Sequence, residues 1–373
     1  MQLKGVEIVV QDSSLQKIAS MADMFLEKFG IKEFSVVSHQ ISNSKSKVTI
    51  KLKTEFANLW CPYFGTLNIR KIITNKFNLS SDELDELEIL IAILVSPFAF
   101  TFQSVESLES HIRVRKYLVH HARKTAVAFN TEAGERPFDF WKYEEETGYT
   151  LHSNADLITA LLAATQPETT GSLYDFSCYR ASEYVILLGL AQEARQHNPS
   201  LLAQLQQVSE KHAIRSGLFH EVFLHEYGSL EAPLPAGFYV PGDRVWFRNP
   251  DERSSDVTGY EGSWVIYVGS GFFSNFWKRD QPFTLQSKCI EIYHWRDGVQ
   301  VNAAGDLWMD ETIVDACVLE TMQDPDKVQH VLRQMMRIRD PKDVYAKGGC
   351  LDATRECPKQ IFPTATELVL PKF

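Results

Sequence analysis

Cys178 is the residue whose type and position best suit chemistry in this sequence. It stands where a loop broken by Gly171 and Ser172 gives way to a predicted helix. The dipole and the unpaired backbone amides at a helix N-terminus favour thiolate over thiol, and thiolate is the nucleophilic form of cysteine. A backbone amide there can also stabilise an oxyanion during acyl transfer. The alternative is a buried, unreactive cysteine, because free cysteine is among the most buried residue types.

Three histidines are candidates for the base that would activate this thiol. His220 and His225 follow the Cys178 helix region, and His294 lies on a predicted strand with Asp297 three residues later. A cysteine at a helix start, followed by His and Asp on later strands, is the general order of papain-like acyl-transfer sites. In such sites the histidine activates the cysteine and the carboxylate orients the histidine. For each histidine the alternative is an ordinary core or surface residue.

The elements that would position these residues begin with alternating strands and helices. Two capping boxes, Ser13 with Gln16 and Ser80 with Glu83, predict helix starts. Alternating apolar and polar residues predict strands, and longer amphipathic stretches predict helices. The predicted strands are Gly5–Val10, Phe34–His39 and Lys47–Leu52, and the predicted helices run to Phe29, from Ser80 to near Pro97 and over Val105–Ala128. This first part of the chain predicts an α+β domain without identifiable chemistry.

The rest of the chain predicts helices followed by strands, which is also an α+β order. The polar stretch Asn130–Pro137 predicts a boundary, and Asn198-Pro199 should end the Cys178 helix. Further predicted elements are a helix over Leu201–His212, antiparallel strands over Phe238–Arg248, Ser263–Val268 and Cys289–Trp295, and a helical tail from Glu311 through Met336. We therefore expect an N-terminal domain over 1–132, a core over 133–310 and a C-terminal extension over 311–373.

Composition excludes several broad classes of protein. Among 373 residues, 38 basic and 48 acidic side chains give a net charge of −10, which argues against a general nucleic-acid binder. The longest apolar run, Ile89–Val95, is far shorter than the roughly 20 residues of a membrane-spanning helix. The N-terminus does not resemble a secretory signal, so a cytoplasmic protein is expected, with non-classical secretion left open. Six scattered cysteines favour a reducing compartment, although Cys350 and Cys357 are close enough in sequence to pair.

Four segments in order resemble a known family. They are LYDFSCYRASEYVI from Leu173 to Ile186, FYVPGDRVWFRNPD from Phe238 to Asp251, GYEGSWVIYVG from Gly259 to Gly269, and the GFFSNF that follows. Together with the upstream Trp141, Gly148 and Leu151, they resemble the bacterial spore-type protein-glutamine gamma-glutamyltransferases, or transglutaminases. The resemblance covers Trp141–Asn275.

The resemblance implies a papain-like fold related to the NlpC/P60 hydrolases, in which a helix with an N-terminal cysteine packs on an antiparallel sheet. It also implies that Cys178 attacks a glutamine carboxamide, releases ammonia and passes the acyl group to an amine, without a metal or organic cofactor. Ser177, Ser263 and Asn275 stand where the family carries Glu, Glu and His. Glu261 would share a strand face with Ser263, displaced by roughly 6–7 Å.

Two functions remain open at this stage. The first is a cysteine-dependent acyltransferase that acts on a protein or another acyl substrate and passes the acyl group to an amine or to water. Its expected site residues are Cys178, Glu261, Asn275, His225 and His294. The second is a transglutaminase-like scaffold that binds a partner through exposed aromatic residues around the former cleft. The oligomeric state and the role of residues 1–132 are not assigned.

Overall fold

The first part of the chain forms a four-stranded sheet with helices packed against it. The computed structural model describes residues 2–10, 15–42, 45–129, 134–214, 216–340 and 348–371. The first elements are β1 (Val6–Val10), α1 (Leu15–Lys28), β2 (Ser35–Ser42), β3 (Lys45–Leu52), α2 (Thr54–Trp60), α3 (Ile69–Lys76), α4 (Ser81–Leu94), β4 (Phe100–Phe102) and α5 (Val105–Lys124). The strand order is β2-β3-β1-β4, with β1 antiparallel to β3 and parallel to β4.

Local signals in the sequence set the starts of these helices. The capping box predicted at Ser80 is confirmed, since the Ser80 hydroxyl accepts the Glu83 N–H and the Glu83 carboxylate accepts the Ser80 N–H at 2.8 Å. Ser104 and Ser107 form an equivalent box at the start of α5. These bonds satisfy backbone donors that the first helical turn leaves free. The box predicted at Ser13 lies outside the described residues.

The second part of the chain contains the predicted Cys178 helix and a larger sheet. Up to the third strand of that sheet its elements are β5 (Ala128–Phe129), β6 (Trp141–Glu144), β7 (Gly148–Leu151), α6 (Leu157–Thr165), α7 (Pro167–Thr170), β8 (Asp175–Phe176), α8 (Cys178–His197), α9 (Pro199–Lys211), α10 (Ser216–Phe223), β9 (Leu224–Tyr227), β10 (Arg244–Arg248), α11 (Glu252–Ser255) and β11 (Gly262–Gly269). They are followed by β12 (Phe272–Phe273), β13 (Phe283–Thr284), α12 (Leu285–Gly298), β14 (Val299–Val301), β15 (Leu307–Met309), α13 (Glu311–Met322), α14 (Pro325–Met335) and β16 (Arg355–Pro358).

The six-stranded sheet has the order β13-β12-β11-β10-β16-β9, and its neighbouring strands are antiparallel. Helix α8 packs on β11 and runs along α5. Gly189 allows this close approach, because a Cβ atom at that position would lie 2.2 Å from Cδ1 of Leu118. The predicted arrangement, a helix that begins with Cys178 and packs on an antiparallel sheet in an α+β fold, is therefore confirmed.

Two of the predicted strands differ from the structure. Residues 289–295 belong to helix α12 and not to a strand, so the strand placement of His294 is wrong. Their aromatic and β-branched residues favour strands locally, but a Thr284–Ser287 capping box starts a helix whose buried residues pack in the core. The strand predicted from Phe238 begins only at Arg244, because Val240–Asp243 forms a turn. In this turn the Asp243 N–H donates a hydrogen bond to the Val240 carbonyl oxygen at 2.9 Å.

The predicted domain limits remain a prediction. Buried apolar side chains form three clusters, and α5 contributes Leu108 to the first and Leu118 to the second. The predicted boundary at 130–137 includes 130–133, which lie outside the described residues. Cys350 and Cys357 are free thiols and are not paired with each other. The Cys350 Sγ lies 3.3 Å from the Sγ of Cys289. No helix in the described part of the chain is long and apolar enough to cross a membrane.

Candidate active site

Cys178 is the first residue of α8, and short-range contacts fix its place. The preceding strand β8 pairs in parallel with β5, which anchors the chain up to Phe176. Ser177 is the N-cap, and its hydroxyl accepts the Arg180 N–H at 3.3 Å. Ser177 therefore starts the helix and places the thiol at its N-terminal end.

The thiol borders a cavity of about 330 Å³, which we call the Cys178 cavity. Its walls come from the start of α8, from β11, from the segment 274–283 and from helices α12 and α13. Polar side chains contribute to these walls at Ser263, Ser274, Asn275, Lys278, Gln281, Ser287, Lys288, Glu291, Glu311 and Asp315. Cys178 lines this cavity and is partly exposed as a residue, although its thiol is largely buried.

The Cys178 sulfur accepts a backbone hydrogen bond from Trp264. The Trp264 nitrogen lies 3.5 Å from the Cys178 Sγ. The Trp264 ring packs edge-on against Tyr179 and stacks on Trp246, with centroid distances of 5.2 Å and 5.8 Å. These contacts hold the β11 backbone in register beside the start of α8. The Trp264 N–H therefore points at the Cys178 sulfur.

Burial and local charge act in opposite directions on the Cys178 thiol. Burial raises the pKa of Cys178, while the Trp264 N–H, the Lys288 ammonium and the amides of the first helical turn act to lower it. The net pKa is raised, because desolvation penalises the thiolate more than these groups stabilise it. The amides at the helix start therefore act in the expected direction on the pKa of Cys178, and burial outweighs them.

Lys288 is a buried cation in the cavity wall that the sequence analysis missed. It is only 3% exposed, and its Nζ lies 3.2 Å and 3.3 Å from the two carboxylate oxygens of Glu291. The same ammonium lies 3.9 Å from the centroid of the Phe283 ring. Had residues 289–295 been predicted as a helix, the spacing of Lys288, Glu291 and Trp295 would have placed them on one face.

Asn275 lines the same cavity as Cys178, so the structure brings these two expected site residues together. The Asn275 Nδ2 donates to the Gln281 carbonyl at 3.0 Å, and its Oδ1 accepts the Lys278 N–H at 3.1 Å. Both ends of the amide therefore hold the loop that closes this side of the cavity. In this arrangement Asn275 shapes the site, and its hydrogen bonds in the described part of the chain go to the loop and not to the Cys178 sulfur.

Glu261 is exposed and lies before β11, outside the set of cavity-lining residues. Its carboxylate accepts the Gly259 N–H at 3.4 Å, within the same loop. Ser263 occupies the cavity wall instead and carries only a hydroxyl. The structure therefore does not place the Glu261 carboxylate beside Cys178.

The expected histidines lie in other parts of the molecule. His294 on α12 has its Nδ1 2.7 Å from Asp297 Oδ2 and its Nε2 2.7 Å from Thr321 Oγ1. His225 on β9 lies 3.1 Å from Glu367 and lines a separate cavity of about 190 Å³, which we call the His225 cavity. His220 pairs with Glu356 at 2.7 Å. These three histidines do not line the Cys178 cavity.

A comparison with protein families agrees with the resemblance seen in the sequence. A family model described as protein-glutamine gamma-glutamyltransferase matches residues 67–355. Among solved structures, a transglutaminase from Geobacillus stearothermophilus, solved without its C-terminal extension, is similar with a TM-score of 0.39 and 15% identity, over 56% of this chain and 96% of that chain. No curated protein sequence matches this chain. The family match confirms the resemblance over Trp141–Asn275 and extends it in both directions.

Proposed function

Because this chain belongs to the protein-glutamine gamma-glutamyltransferase family, whose members are acyltransferases, we propose that it transfers the acyl group of a glutamine side chain through a thioester on Cys178. The observation that supports this most is the position of the thiol. It stands at the start of α8, at the edge of the Cys178 cavity, with the Trp264 N–H 3.5 Å away.

The first half-reaction joins the Cys178 sulfur to the carboxamide carbon of the donor. The carbonyl oxygen gains negative charge, and the N–H groups of Trp264 and of the first turn of α8 are the available backbone donors. When the C–N bond breaks, the nitrogen takes up a proton, which balances the one lost from the thiol, and leaves as ammonia. Lys288 stabilises negative charge on the sulfur, which compensates in part for burial of the thiol.

The second half-reaction returns the sulfur to its thiol form. An amine attacks the thioester carbonyl, the C–S bond breaks, and a proton from the amine restores the thiol. Family substrates are proteins that present amine acceptors, and water in place of the amine would give deamidation. We place the reaction in a reducing compartment, the cytoplasm by default, because the nucleophilic thiol must remain reduced.

A second candidate function is a binding module. Among the described residues, no histidine or carboxylate is hydrogen-bonded to the Cys178 sulfur, and burial raises its pKa. A family scaffold without an activating base could retain the cavity for recognition. The Cys178 cavity, with its aromatic wall at Phe129, Trp277 and Trp295, would then be the contact surface.

The deciding experiment follows incorporation of a fluorescent primary amine and release of ammonia under reducing conditions. The donors are a glutamine-bearing protein, a small glutamine amide and an acyl thioester. Cys178→Ala should lower both signals by at least about a thousandfold, because a methyl group cannot form the thioester. The matched control is Cys357→Ala, which removes a buried thiol outside the Cys178 cavity and should retain transfer.

The outcome also separates the two candidate functions. Wild-type protein that gives neither amine incorporation nor ammonia with any of the three donors contradicts the acyltransferase proposal. If Cys178→Ala then binds a partner protein as tightly as wild type, the binding module stands.

A further inference from the structure

Helices α12 and α13 pack side by side, and both contribute residues to the wall of the Cys178 cavity. Outside that wall, the pair brings together three side chains of different chemistry: His294 and Asp297 from α12, and Cys317 from α13. A nitrogen of His294, a carboxylate oxygen of Asp297 and the sulfur of Cys317 all lie within 4.8 Å of one another. Three donor atoms this close together can converge on a single ion after small adjustments of their side chains.

We propose that His294, Asp297 and Cys317 bind a divalent transition-metal ion, and that zinc is the ion their chemistry fits best. Zinc accepts imidazole nitrogen, carboxylate oxygen and thiolate sulfur in four-coordinate sites. Magnesium and calcium prefer oxygen ligands alone, and a site of mixed donors disfavours both. With three protein ligands, the fourth position falls to a water molecule.

The surroundings of His294 suit a metal ligand. The residue is 8% exposed, and its Nε2 lies 2.7 Å from the hydroxyl of Thr321, which is itself buried at 4% exposure. Histidines that bind metals usually donate the N–H of their other ring nitrogen to a neighbouring acceptor, which fixes the tautomer and the ring orientation. The Thr321 hydroxyl can accept this N–H, so Nδ1 is left facing Asp297 Oδ2 at 2.7 Å.

The spacing along the two helices supports the same conclusion. His294 and Asp297 are three residues apart on α12, and Cys317 and Thr321 are four apart on α13, so each pair lies on one helix face. Negatively charged Asp297 and Glu320 near Cys317 attract a cation, which would replace the thiol proton as the metal–sulfur bond forms, and the proton would leave to solvent.

The ion would act on the structure and not as a reactant. None of its three ligands is among the described residues that line the Cys178 cavity. It would join α12, which carries Lys288, to α13, which carries Glu311, and so stabilise two walls of the cavity against each other. This role is independent of whether Cys178 forms a thioester.

The test uses full-length protein in a Cys178→Ser background, which removes the cavity thiol as a competing ligand. Cobalt(II) is the probe, because a thiolate–cobalt bond gives a charge-transfer absorption band. Cys317→Ser should remove this band and weaken cobalt and zinc binding by at least about tenfold. The matched control is His330→Gln on α14, an exposed histidine outside the cluster, which should keep the band.

A second measurement does not depend on absorption. In the Cys178→Ser protein, Cys317 is the remaining cysteine that is partly exposed, because Cys61, Cys289, Cys350 and Cys357 are buried. Zinc should therefore protect Cys317 from iodoacetamide, a chelator should restore labelling, and magnesium should have no effect. Equal labelling with and without zinc, or a cobalt band that persists in Cys317→Ser, would overturn the proposal. Metal-free Cys317→Ser should unfold thermally as its parent does, since the changed side chain is partly exposed.

Discussion

The Cys178 cavity and the His225 cavity each contain a cysteine, in different surroundings. The Cys178 cavity contains a cysteine at a helix start and a backbone N–H directed at its sulfur. The His225 cavity contains a cysteine, a histidine and a carboxylate. His225 stands directly opposite Cys357 in the antiparallel register of β9 and β16, and its imidazole lies 3.1 Å from the Glu367 carboxylate.

The two cavities differ in the backbone around their thiols. Cys357 lies within a strand, where no helix dipole or free amide favours the thiolate, and burial raises its pKa to about 12. Cys178 has the favourable backbone but lacks a paired base among the described residues. The backbone donor at the sulfur therefore distinguishes Cys178 from Cys357 in this structure.

The largest expected difference between the two thiols is in their rates of alkylation, which one experiment can measure together. At pH 8, a thiol with a pKa of about 12 is thiolate in roughly one molecule in ten thousand. We therefore expect iodoacetamide to modify Cys178 at least about a hundredfold faster than Cys357 in the native protein. Peptide mapping by mass spectrometry at a series of times measures both rates. Equal rates in folded protein would show that the His225–Glu367 pair activates Cys357.

The helix start at Cys178 could be predicted from the sequence because its signals are local. Ser177 has the residue type of an N-cap, Gly171 breaks the preceding segment, and Asn198-Pro199 ends the helix. The strand at 262–269 was also close to its prediction at Ser263–Val268. Each of these features depends on residues that lie within a few positions of one another.

The contact partners of the site residues could not be predicted from the sequence, because they depend on contacts between distant segments. Strand β16 inserts between β9 and β10 after more than a hundred intervening residues, and this places Cys357 opposite His225. Because residues 289–295 were predicted as a strand, Lys288 was not predicted to line the cavity. Composition favoured a strand there, and burial against the rest of the core determined a helix.

Charge in the wall of the Cys178 cavity provides a smaller test of the same comparison. Lys288 acts to lower the pKa of Cys178, so Lys288→Met should raise that pKa and move the labelling profile to higher pH. The labelling rate at pH 8 should fall about three- to tenfold. Glu291→Gln is the matched control, because it removes the negative charge paired with Lys288 and should move the profile to lower pH. Profiles that move in the same direction for both variants would contradict an electrostatic role.

The smallest expected effect belongs to Glu367 in the His225 cavity. Burial acts to raise the pKa of Glu367, but the His225 contact and the Gln360 N–H outweigh it, so the net pKa is lowered. A carboxyl group with a lowered pKa stabilises the fold above its unfolded pKa of about 4.3 and loses this contribution as pH falls through the folded value. Glu367→Gln should therefore reduce the free energy of unfolding at pH 7 by less than about 1 kcal/mol, since the pair is partly exposed.

Urea unfolding at pH 7 and again below the folded pKa of Glu367 measures this difference, which should disappear in acid. Amine incorporation by Glu367→Gln should equal that of wild type, because the His225 cavity is separate from the Cys178 cavity. A loss of transfer as large as that of Cys178→Ala, in protein that remains folded, would instead make the two cavities parts of one catalytic system. In that case the separation of Cys178 from His225 would describe the protein without substrate, and substrate binding would change it.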